Sequence, residues 1–90
     1  MFRLWAKEWK ENHMLKDTVI EVPGNDNRTK KVFSGLELAC HEFDLPVPIW
    51  LASNIRDFQR TAKTRFTKDS FTEEIPFDAL EIQVIEEDFG

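Results

Sequence analysis

Ninety residues at 10.6 kDa, with 12 basic and 17 acidic side chains, carry a formal net charge of −5. A chain of this length forms one domain, spanning 1–90, which excludes a two-domain enzyme, a TIM barrel or a dinucleotide fold with a separate substrate lobe. The acidic balance disfavours a general nucleic-acid coat or an anionic membrane surface as partner. The single cysteine excludes an intramolecular disulfide framework and a Cys-rich zinc site.

At the amino end, Phe2–Lys10 and Met14–Val22 are predicted to pair as a β-hairpin. Thr18, Val19, Ile20 and Val22 favour strand, and Glu11-Asn12-His13 supplies the turn. A single helix is the competing reading, because Trp5 and Trp9 are four apart among good helix formers. Pro23-Gly24-Asn25-Asp26-Asn27 is the strongest turn signal in the chain. Asn27 or Asp26 then caps a helix running to about Phe43. Val32, Leu36, Cys40 and Phe43 form its apolar stripe, widened by Phe33 and Ala39. Gly35 interrupts that stripe, which implies close packing against a neighbour.

Leu45-Pro46-Val47-Pro48-Ile49 reads as an extended, buried corner, since each proline pushes its predecessor out of helical geometry. Ser53 is the expected cap of a second helix, Asn54 to about Lys63, with Ile55, Phe58 and Ala62 on its apolar face. Residues 64–78 show no clear period. Ala79–Glu87 reads as a strand, with Leu80, Ile82 and Val84 alternating against Glu81, Gln83 and Ile85. The expected fold is therefore a two-layer α+β domain: an N-terminal β-hairpin, two helices, and a C-terminal strand completing a three-stranded sheet.

Five segments resemble a known family: Arg3-Leu4-Trp5, Leu15 to Glu21, Pro48-Ile49-Trp50-Leu51, Lys63 to Thr67 and Leu80 to Asp88. They are similar to a family of short proteins from Gram-positive anaerobic bacteria, to which no activity is assigned. The resemblance spans nearly the whole chain. It implies a cytosolic bacterial protein complete at this length and transfers no functional residue.

Catalytic and metal chemistry find little support in the residues. His13, His41 and Cys40 are the only nitrogen and sulfur ligand candidates, and Cys40 and His41 diverge by about 100° as consecutive helical residues. Glu37 and His41 share a helix face as a weak two-ligand pair; their bland reading is a solvated ion pair. Cys40 falls on the apolar stripe, where a thiol has a raised pKa and little nucleophilic character. Phe33-Ser34-Gly35 lacks the first glycine of a nucleophile elbow. With glycines only at 24, 35 and 90, neither G-x-G-x-x-G nor a P-loop can be written. No cofactor, metal or catalytic set is expected, and the protein is expected not to be an enzyme.

Charge is distributed in blocks. Residues 56–70 carry a net +3 and residues 71–90 a net −7. Arg56, Arg60, Lys63 and Arg65, interleaved with Phe58 and Phe66, are the candidate polyanion contact, the equipment of single-strand nucleic-acid binding. The alternative is that the basic block pairs with the acidic final strand, leaving both Phe in the core. The three tryptophans, Trp5, Trp9 and Trp50, exceed what a minimal core requires and are candidate interface anchors. The final strand is a candidate open sheet edge. The favoured expectation is a cytoplasmic, non-enzymatic protein-interaction module with a protein partner or a homodimer; a nucleic-acid accessory protein is the alternative. No stretch is long and apolar enough for a membrane span.

Overall fold

The computed structural model describes residues 1–87. β1 (Phe2–Lys10) and β2 (His13–Val22) form the expected hairpin. Its two-residue loop places Glu11 and Asn12 at φ 51° and 65°, the paired positive φ of a tight hairpin turn. The Glu11 N–H donates to Asp78 Oδ2 at 2.8 Å, which ties the turn to the far end of the chain.

α1 (Arg28–Glu42) begins where the sequence places it. Asn27 is its cap, with Oδ1 accepting from the Lys30 N–H at 2.9 Å. Val32, Leu36, Ala39, Cys40 and Phe43 are buried as the period requires. Gly35 lies against β1 and β2: a Cβ there would sit 2.9 Å from Leu4 Cδ2 and 3.3 Å from Val22 Cγ2. The absence of a side chain thus lets α1 approach the sheet. Phe33 departs from expectation. It is half-exposed, because at the helix's lateral edge it meets Trp50 rather than the sheet.

The second helix also differs from its sequence reading. α2 (Ala52–Thr61) is preceded by Leu51, not capped by Ser53, and Asn54 Oδ1 accepts from the Leu51 N–H. It stops at Ala62, whose left-handed φ of 57° ends helical geometry before Lys63. Phe58 is buried but Ile55 is not. The buried neighbour of Phe58 on this helix is the polar Asn54, whose amide donates to Thr64 Oγ1 and to the Arg65 carbonyl. A polar residue that satisfies strand hydrogen bonds thus takes the inward position that apolar periodicity assigned to Ile55. The corner before α2 is only partly buried: Pro48 is covered, whereas Val47 and Ile49 face solvent.

Two corrections concern the sheet. It has four antiparallel strands, not three, because Lys63–Phe66 forms a short strand, β3, inside the segments read as helix end and aperiodic chain. Its order is β2-β1-β4-β3, so β4 (Ala79–Glu86) is central and not an edge. Both helices lie on one face. α1 covers β1 and β2, α2 covers β3, and Phe2, Leu4, Phe66, Leu80 and Ile82 form the core between them. A 3₁₀ turn, Lys68–Ser70, leads into a loop anchored by buried Phe71 and Phe77. No helix of the described residues is long and apolar enough to cross a membrane.

Candidate functional site

Three surfaces hold the residues singled out by sequence, and they differ in how far their side chains satisfy one another. The face of the sheet opposite the helices carries Trp5 and Trp9. Strand register aligns Asp17, Lys7, Glu81 and Arg65 across all four strands, an alternation of charge from one edge to the other. Lys7 Nζ lies 2.7 Å from Glu81 Oε2 and 3.2 Å from Gln83 Oε1, and 3.7 Å from the centroid of the Trp5 ring. Arg65 donates through Nε to Glu81 Oε1 at 2.7 Å and lies 5.1 Å from the Trp9 ring centroid. Trp5 Nε1 donates to Asp17 Oδ2 at 2.8 Å. Although no helix covers this face, Lys7 and Glu81 are buried beneath their neighbours. Burial pushes the Glu81 carboxyl up, but the hydrogen bonds and charges of Lys7 and Arg65 outweigh it and hold it below the ordinary range. The row is thus a structural finish to the sheet.

The second surface is the basic groove beside β3. Arg60, Lys63 and Arg65 line one open groove of about 310 Å³, together with Asp57, Thr61, Thr64 and Glu81. Arg56 stands one helical turn before Arg60 and is not part of its lining. The acidic final strand does not neutralise this block as expected. Among the described residues only Arg65 pairs with it, through Glu81. Glu86 instead pairs with Arg3 and the Met1 amine, and Glu87 with Arg28. Antiparallel pairing runs the acidic end of β4 toward the start of β1, where Glu86 lies opposite Arg3. Phe58 and Phe66, interleaved with the basic residues in sequence, are core side chains.

Trp50 belongs to the third surface, on the opposite side of the molecule from Trp5 and Trp9. Its ring meets Phe33, Phe58 and Phe66 edge-on, with centroids 5.8, 5.6 and 5.0 Å away. Val32, Phe33, Trp50, Ile55 and Phe58 line an apolar cleft of about 310 Å³ between α1 and α2, rimmed by Arg28, Thr29 and Gln59. Phe33 is 50% exposed and Ile55 47% exposed. These are the two residues that helical periodicity assigned to the core, and they meet across the same cleft. Leu51, one helical turn before Ile55, extends the exposed apolar surface. Sequence reasoning missed Phe33 and Ile55 as surface residues because the helical period defines a stripe but not how wide a neighbour covers it.

The remaining candidates are dispersed. Cys40 is a buried free thiol whose pKa burial, with Glu37 nearby, pushes up to about 12. Glu37 and His41 share a shallow surface depression with Ser34 and Leu38. Among the described residues no group of three or more His, Cys, Asp or Glu side chains is placed to hold a metal. Comparison with protein-family models, with curated proteins and with solved structures found no match.

Proposed function

We propose that this protein is a non-enzymatic protein-interaction module that seats an apolar segment of a partner in the cleft between α1 and α2. One observation carries the reading: Phe33 and Ile55 are half-exposed on either side of a cleft floored by Val32, Trp50 and Phe58. A fully buried side chain of this kind contributes about 1.5–3 kcal/mol, so each half-exposed one has roughly half of that left for a partner to realise. Trp50 is the rigid floor of the site, because three aromatic rings fix its orientation. Trp5 and Trp9 are assigned to the sheet's own charge row and are left out of the interface. A cytosolic setting belongs to the same proposal, in keeping with a lone buried thiol. So does kinship with the short proteins of Gram-positive anaerobes, on the segments quoted above.

The test is comparative capture from cell extract with wild-type protein and with the Phe33→Glu and Ile55→Glu variants. The reading expects a protein retained by wild type and lost by both variants, while their thermal unfolding stays close to that of wild type. A second copy of the chain is the homotypic form of the same outcome, read by concentration-dependent size exclusion that both variants abolish. An identical set of captured proteins with all three baits would reject the cleft as the docking surface.

A further inference from the structure

The geometry points to a second, independent site: the groove between α2 and β3 binds a phosphate-ester group through Arg60, Lys63 and Arg65. The three cations come from two elements and converge on one groove. They do so because the left-handed turn at Ala62 reverses the chain between the last turn of α2 and β3. Arg60, in that last turn, complements the helix's carboxyl end. That role accounts for Arg60, and the pair with Glu81 accounts for the orientation of Arg65, whereas neither accounts for Lys63. Among the described residues, neither Arg60 nor Lys63 makes an ion pair or a side-chain hydrogen bond. Arg65 is already oriented: its Nε is held by Glu81 and its guanidinium rests near the Trp9 ring. The bond to Glu81 uses Nε, so the terminal nitrogens of Arg65 are left as donors for a ligand.

Two carboxylates line the groove, Asp57 and Glu81. Glu81 is also engaged by Lys7 at 2.7 Å on the sheet face. The groove therefore sets three cations against Asp57 alone once the Lys7–Glu81 pair is counted as neutral. An arginine with a preset fork, a second arginine and a lysine suit the tetrahedral, multiply charged oxygens of phosphate. The groove and the apolar cleft share no lining residue and lie on different sides of α2. The inference therefore stands apart from the protein-docking reading.

The test is an amide chemical-shift titration of the full chain at low salt. Its probes are sodium phosphate, a nucleoside monophosphate and a short single-stranded oligonucleotide, against sodium chloride at matched ionic strength. Saturable shifts confined to residues 57–65 with the phosphate probes, absent with chloride, are expected. Arg60→Ala with Lys63→Ala should weaken them at least tenfold, Arg60→Lys should retain part of the effect, and Phe33→Glu should leave them unchanged. Tight oligonucleotide binding that weakens steeply with salt would make a nucleic-acid strand the source of the phosphate. Equal affinity for the monophosphate would make it a small molecule. Shifts that chloride reproduces, or that survive the double substitution, overturn the inference, and the dispersed spectrum of each variant shows that it is folded.

Discussion

Two tryptophan neighbourhoods on opposite sides of the molecule have opposite chemistry. Around Trp5 and Trp9, charges alternate across the sheet and meet at 2.7 Å, so a face without a covering layer still buries Lys7 and Glu81. Around Trp50, aromatic contacts fill the floor but leave Phe33 and Ile55 half in water. The charged groups of the first surface already satisfy one another, so it has less left to gain from a partner, although Trp9 Nε1 is buried there without a hydrogen-bond partner among the described residues. The second keeps apolar area exposed, which is the term that drives association. Exposure of an element alone is therefore a poor guide to interface; what matters is whether its side chains have been satisfied within the chain.

The largest expected effect comes from breaking the charge row. Glu81→Ala leaves Lys7 buried with only Gln83 Oε1 and the Trp5 ring as partners, and should cost about 3 kcal/mol in chemical denaturation. Trp50→Ala should cost a similar or slightly smaller amount, about 2–3 kcal/mol, because its ring is partly exposed already. Phe33→Glu and Ile55→Glu should change stability by less than about 1 kcal/mol. If either cleft variant instead unfolds the protein, the contrast between the two surfaces fails.

Acid unfolding sharpens the same contrast through two buried glutamates on the central strands. Glu81 has its folded pKa lowered, so its contribution is present above the unfolded pKa and is lost as pH falls through the folded one. Glu8 lies toward the helices, where burial raises its pKa and Lys16, at 3.7 Å, offsets that only in part. A raised carboxyl favours the folded state at low pH and costs stability as pH rises through its folded value. Replacing Glu81 by Gln should therefore flatten the loss of stability below about pH 4.5. Replacing Glu8 by Gln should leave neutral-pH stability unchanged or slightly higher, the smallest effect in the series.

Much of the fold was legible because local signals and tertiary demands agree. The hairpin, the Asn27 cap, the α1 stripe and the tight approach at Gly35 all follow from residue type and spacing. β3 was not legible: four residues alternating Lys63, Thr64, Arg65, Phe66 are too short to separate from the end of a helix by period. Missing that strand also misplaced β4, since only pairing on both sides makes it central. The basic residues were identified from composition, but their convergence depends on the turn at Ala62, a left-handed position at a residue that does not advertise one. The apolar cleft was the least legible feature. Its two exposed side chains fit the core pattern, and only the placement of Asn54 inward shows why Ile55 is left outside.

The most direct test of the division between the two surfaces measures partner affinity in wild type, in Ile55→Glu, and in Val19→Glu on the uncovered sheet face, with the protein recovered by capture. Val19 is 45% exposed beside Trp5, close to the 47% of Ile55, and it lies on the strand face rather than in the cleft. The account predicts at least a tenfold loss of affinity for Ile55→Glu and none for Val19→Glu; a loss confined to Val19→Glu would contradict it.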